Sequence, residues 1–107
     1  MDAHDKIKER AAEMLRKKGY RVSTEVFLPS GKGAADIVAE KGDVRIVAEV
    51  KSSPSSLGGS SKRQIDLYEK NFPSSKCALI SPDANGELRI AFSNHQYRGK
   101  FADYLNK

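Results

Sequence analysis

Residues 34–51 constrain this chain more than any other stretch. Two apolar runs, Ala35-Asp36-Ile37-Val38-Ala39 and Val44-Arg45-Ile46-Val47-Ala48-Glu49-Val50, flank Lys41-Gly42-Asp43. A two-residue hairpin turn with Gly first is the type II′ choice, because its first central residue takes a positive φ and its twist matches that of the strands. In that register Lys41 faces Val44 and every other pair follows. One face then joins Ala35 to Val50, Ile37 to Ala48 and Ala39 to Ile46, all apolar. The other joins Glu40 to Arg45, Val38 to Val47, and Asp36 to Glu49. Only the last pair conflicts with the physics of a sheet.

Directly opposite residues of a hairpin have Cβ atoms about 4.5–5.5 Å apart, and like charges so placed are destabilising. Three arrangements neutralise such a pair. One carboxyl can hold a proton. A divalent cation can bridge the two, and hard oxygen ligands suit Mg²⁺ or Mn²⁺. Lys51, two residues beyond Glu49 and on the same face by strand alternation, can offset the charge as an ammonium. Two carboxylates, a metal and a lysine together suit phosphodiester hydrolysis: the metal polarises a phosphoryl oxygen, and the lysine orients water or stabilises developing charge.

The flanking segments supply the rest of a domain. Residues 3–18 read as a helix with Ile7, Ala11, Met14 and Leu15 on its apolar side, Arg16-Lys17-Lys18 at its negative end and Gly19 as the stop. His4 falls on that apolar side, whereas Glu9 and Glu13 point away. Tyr20–Leu28 alternates as a strand, and Pro29–Gly33 is a turn-rich loop. Ser52–Ser61 reads as a low-complexity loop. A second helix is expected over Lys62–Asn71, with Ile65, Tyr68 and Phe72 on one side. Short strands follow at Cys77–Ile80 and Leu88–Phe92, the second entered through an Asn85-Gly86 turn, and a last helix at Lys100–Leu105. The order α-β-β-β-α-β-β predicts an α/β domain spanning residues 1–107, a central mixed sheet flanked by helices.

The net charge of +5 is unevenly spread: +3 over residues 1–21, −1 over 22–61, +1 over 62–94 and +2 over 95–107. Basic flanks around an acidic middle suit a polyanionic partner. The single cysteine, Cys77, forms no internal disulfide and reads as a small buried hydrophobe, which favours a reducing, cytoplasmic setting. No apolar run is long enough for a membrane helix, and the charged N-terminus has no apolar signal segment.

Ala35-Asp36 followed by Glu49-Val50-Lys51 resembles the PD-(D/E)xK motif of the restriction-endonuclease-like nucleases. The likeness covers roughly residues 4–80, and Ala35 stands where the motif carries Pro. It implies the restriction-endonuclease-like αβββαβ core and a metal-dependent DNA nuclease. In that pattern Asp36 and Glu49 would ligate Mg²⁺ or Mn²⁺ with the Val50 carbonyl as third ligand, and Lys51 would be the catalytic lysine. Gln64 and Tyr68 repeat a Q-x-x-x-Y spacing similar to that of RecB-type nucleases, and a histidine on the first helix of that branch implies His4 as a metal ligand. Two residue-level alternatives stand beside these roles: Ser61-x-x-Gln64 is also a capping box, and Tyr68 can be core. His95 is unassigned.

DNA would meet Lys62 and Arg63 at the start of the second helix, with Arg16, Lys17, Lys18 and Arg21 as a second, sequence-independent backbone contact. With no base-reading module, selection would come from DNA structure, an end or a partner protein, in repair or recombination. A Holliday-junction-resolvase-like homodimer is the alternative enzyme. A non-catalytic nucleic-acid-binding module that retains the fold is the alternative from another class.

Overall fold

The hairpin sits at the centre of the molecule. The structure, a computed structural model describing residues 1–107, pairs β2 (Ala34–Lys41) with β3 (Val44–Val50) in the expected antiparallel register, from Lys41↔Val44 to Ile37↔Ala48. Gly42 takes φ 57°, and Asp43 does not share the left-handed region, as a type II′ turn requires.

Around it stand α1 (Ala3–Lys17), β1 (Arg21–Phe27), α2 (Gly59–Asn71), β4 (Lys76–Pro82), β5 (Leu88–Phe92), β6 (Arg98–Lys100) and α3 (Phe101–Leu105). The six strands form one mixed sheet in the order β1-β2-β3-β4-β5-β6. Every pairing is antiparallel except β3 with β4, which α2 connects as a crossover. The apolar hairpin face (Ile37, Ala39, Ile46, Ala48) packs with Ala11 and Leu15 of α1 and Phe101 of α3. Val38 and Val47 on the opposite face pack with Ile65, Tyr68 and Phe72 of α2. Both faces are covered, which is why these strands are so continuously apolar. No helix is long and apolar enough to cross a membrane.

Local chemistry sets the ends of α1. The Asp2 carboxylate accepts from the Asp5 N–H at 2.8 Å, a side-chain N-cap. At the other end the Gly19 N–H donates to the Arg16 carbonyl and the Tyr20 N–H to the Leu15 carbonyl, the Schellman pairing. Gly19 has φ +90°, and a Cβ there would meet only the Lys41 side chain at 3.4 Å or more. Gly19→Ala should therefore cost about 1–2 kcal/mol through backbone strain alone, read as a lower urea midpoint with an unchanged m-value.

The structure corrects three expectations. Helix α2 begins at Gly59 rather than Lys62, capped by the backbone of Gly58 with no side-chain bond. Ser61 is then the third helical residue and is buried, so it caps nothing and Gln64 belongs to no capping box. Strand β4 runs to Pro82, because β5 pairs with it as far as Pro82↔Leu88, two residues beyond its last pair with β3 at Val50↔Ile80. A sixth strand, Arg98-Gly99-Lys100, precedes the last helix. Its residues show no apolar alternation, and it exists because β5 offers it a free edge.

Candidate functional site

Asp36 and Glu49 lie where the hairpin opens. The ladder between β2 and β3 stops at Ile37↔Ala48. One step further the Asp36 Oδ2 accepts the Val50 N–H at 2.8 Å, so a carboxylate takes the place of the next ladder bond. Glu49 lies beside it, and both side chains are about 15% exposed, at 16% and 15% respectively. Burial, then a shared hydrogen bond with Asp36 and that residue's negative charge, push the Glu49 carboxyl up to about 8, while Lys51 and Tyr68 pull it back. Lys51 is a weak counter-charge here, with Nζ 4.0 Å from Glu49 Oε2.

Two helices complete the surround. Both α1 and α2 begin at this end of the sheet. From α1, His4 Nε2 lies 3.4 Å from Asp36 Oδ2. From α2, the buried Tyr68 hydroxyl lies 3.4 Å from both Glu49 Oε1 and the Ala34 carbonyl, and its proton can serve either. Burial and the two carboxylates push the Tyr68 hydroxyl well above the ordinary phenol range, so it remains a donor, and Gln64 hydrogen-bonds to it. The structure thus brings together Asp36, Glu49, Val50, Lys51, His4, Gln64 and Tyr68. Tyr68 is at once core and site: its ring packs with Ile65 and Phe72 while its hydroxyl reaches Glu49.

The cations divide differently from expectation. Lys62 and Arg63 are exposed on the first turns of α2, at the site end, with Lys62 held 3.2 Å from Asp66. Arg16, Lys17, Lys18 and Arg21 are carried away. A helix of 15 residues is about 22 Å long, so its C-terminal cations sit at the far end from His4. Arg21 pairs across to Glu40, beside the hairpin turn. Arg16 lies 3.3 Å from Glu9 and 3.5 Å from Glu13, and the Lys18 ammonium contacts Asn106. That cluster does not join the carboxylate pair, because the helix that carries it runs away from the site.

Two participants escaped sequence reasoning. Lys8 is 4% exposed, with Nζ 2.6 Å from Glu25 Oε1 and 3.2 Å from Asp5 Oδ1. The Glu25 hydrogen bond foremost holds its pKa above the ordinary lysine value. Lys8 follows His4 by one helical turn, on the stripe of Ala11 and Leu15, and that spacing was the available signal. Glu25 gave none. It takes φ 53° in mid-strand, between the pairs Thr24↔Ile37 and Val26↔Ala35, directly across from Asp36. Strain of this kind is held by its surroundings, here by the ion pair to Lys8.

Other titratable groups have local explanations. Asp2, His4 and Asp5 bring possible ligand atoms within 4.8 Å of one another. Asp2 is engaged as the helix cap and Asp5 with Lys8, so the trio is accounted for as a helix start. Burial pushes the Cys77 thiol up to about 11, which leaves it an unreactive core residue. His95 lies in the loop after β5. No family model matches the chain, and no curated protein matches it.

Proposed function

We propose that this protein is a metal-dependent DNA nuclease with a restriction-endonuclease-like PD-(D/E)xK core. The observation that carries the reading is Asp36 beside Glu49, two low-exposure carboxylates, with burial first and then the hydrogen bond and charge of Asp36 holding a proton on Glu49 near neutral pH. The ammonium nearest to them is at the limit of an ion pair, so the pair keeps a deficit of positive charge. A hard divalent cation matches that donor set. Asp36, Glu49 and the Val50 carbonyl would hold Mg²⁺ or Mn²⁺, with His4 next to Asp36. Bound there, the ion would supply Lewis-acid polarisation of a phosphoryl oxygen.

The chain's own residues have separable tasks. The Val50 N–H and His4 fix the orientation of Asp36. Tyr68, itself bonded to Gln64, orients Glu49. Lys51 places a cation at the rim of the pair, where it can align an attacking water or offset charge that develops on the phosphate. Lys62 and Arg63 would hold the backbone of DNA approaching the start of α2. With no base-reading element in the fold, selection would rest on DNA structure or ends.

The test is incubation with single-stranded, branched and linear duplex DNA under Mg²⁺, Mn²⁺ or EDTA. Cleavage of at least one substrate with a divalent ion, abolished by EDTA, is expected. Absence of cleavage on all three under either metal would leave a non-catalytic binding module. Cutting that persists in EDTA would remove the metal from the mechanism.

A further inference from the structure

The face of the sheet that carries Glu49 is covered by α2 over β3 and part of β4, and beyond that it continues over β4, β5 and β6 under a loop rather than a helix. The pairing Glu49↔Leu79, Leu79↔Ala91 and Ala91↔Arg98 runs as one row across β3, β4, β5 and β6. A second row, Ser81↔Arg89↔Lys100, lies beside it. It starts next to Lys51, whose N–H donates to the Ile80 carbonyl. The loop after Lys51 folds over these rows and is fastened by the Ser81 hydroxyl, 3.4 Å from the Ser55 carbonyl.

Loop and sheet enclose a cavity of about 260 Å³, with Leu57, Leu79 and Ala91 as apolar walls and Arg89 and Arg98 at its sides. Arg98 also borders a smaller cavity of about 100 Å³ that reaches Lys62 and His95. Neither Arg89 nor Arg98 makes an ion pair, whereas the neighbouring Lys100 lies 3.6 Å from Glu87. Asp83, the one acid in the lining, has its Oδ1 engaged by the N–H groups of Asn85 and Glu87.

We infer that this groove holds a single strand of nucleic acid on its way to or from the carboxylate pair. One base would rest between Leu57, Leu79 and Ala91, and phosphates would meet Arg89 and Arg98. Three features select that occupant. Unpaired arginines beside an apolar wall match an alternation of phosphate and base, and guanidinium planes also stack on bases. The volume lies below the usual range of about 300–1,000 Å³ for ligand pockets, which suits one nucleotide rather than a larger cofactor. A base stacked inside a duplex cannot offer its face to such a cavity. With strands about 4.8 Å apart, Arg98 lies roughly 14 Å from Glu49, so strand and site are continuous. The inference rests on the nuclease reading only for what happens at the far end of the strand.

The experiment is fluorescence anisotropy of a labelled 20-nucleotide single strand and its duplex, in EDTA so that nothing is cut. Arg89→Ala/Arg98→Ala should weaken single-strand binding by about tenfold or more and flatten the salt dependence by about 1.4 in log–log slope, as for two phosphate contacts. Lys17→Ala/Arg21→Ala removes the same charge at the far end of the fold and should change binding less than about threefold. Leu57→Glu should weaken the single strand more than the duplex. Equal losses in the two double variants would overturn the groove, since only net charge would then matter. So would competition by poly-glutamate as effective as that by unlabelled oligonucleotide, which would mark a surface for acidic protein. All variants alter exposed or loop positions, and thermal melts check that they fold. Cleavage by the unaltered protein reports separately: binding that needs the arginines without any cleavage sinks the nuclease reading alone, and cleavage with arginine-independent binding sinks the groove alone.

Discussion

Glu49→Gln and Asp36→Asn should each lower metal-dependent DNA cleavage by about 10³-fold or more, a loss of roughly 4 kcal/mol of transition-state stabilisation. The amides preserve shape and hydrogen bonding. Asparagine at 36 still offers an oxygen to the Val50 N–H, and glutamine at 49 still accepts from Tyr68, so neither the hairpin opening nor the α2 contact is lost. What disappears is the negative charge that would hold a dication. Lys51→Ala should cost about 10²–10³-fold, the size expected for removing one group that stabilises the transition state. Lys51→Arg should recover little of it, because a planar guanidinium does not reproduce the position of a compact ammonium. Gel-based cleavage at fixed Mn²⁺ reads all four variants, with melts to confirm folding. Rates within about threefold of the unaltered protein for Glu49→Gln or Lys51→Ala would end the assignment of chemistry to this site.

The second large effect is on stability, and its sign follows from the proton on Glu49. In the fold this carboxyl titrates at about 8 against an ordinary 4.5. Between those values the folded chain holds a proton that the unfolded chain has released, so stability falls as pH rises through that window and is greatest below it. At about 1.4 kcal/mol for each pKa unit the full shift is worth several kcal/mol. Even about 1 kcal/mol would move the melting temperature of a domain this size by roughly 4–8 °C. The metal-free protein should therefore melt lower at pH 8.5 than at pH 5.5. Glu49→Gln should remove most of that slope and melt higher than the unaltered protein at pH 8.5. Mn²⁺ should reverse the loss, since it competes with the proton for the same oxygens and binds more tightly as pH rises. At 100 times its Kd it would add about 2.7 kcal/mol, and it should do nothing comparable in Glu49→Gln. A melting temperature that is flat across this range and indifferent to Mn²⁺ would mean that burial and Asp36 together do not hold a proton on Glu49 and that the pair takes no cation.

Much of the site was legible because a hairpin is a local device. Gly42 and the two-residue turn set the register, the register set the faces, and the faces put Asp36 against Glu49 with Lys51 on the same side. His4 was legible for the same reason, since helical spacing alone placed it on the buried stripe of α1. Lys8 lay on that stripe too, yet a lysine there reads as surface until its partner is known. That partner, Glu25, depends on a left-handed residue in mid-strand that no local pattern announces. The role of Gln64 turned on where α2 starts, and the loop composition around Gly58-Gly59 did not mark it.

The distribution of charge shows the boundary most clearly. By sequence the chain is basic at its flanks and acidic in the middle, which suggests a positive frame around the carboxylates. In three dimensions the first flank splits, because α1 starts at the site and delivers Arg16, Lys17 and Lys18 to the opposite end. The cations beside the site are instead Lys51 after β3, Lys8 near the start of α1, and Lys62 and Arg63 on the first turns of α2. Periodicity and turn chemistry act over a few residues, so the sequence by itself determined the hairpin, its register and the facing carboxylates. Which helices and strands meet that pair depends on how two apolar faces of one sheet are covered, a packing problem spread over the whole chain, and only the tertiary structure decided it.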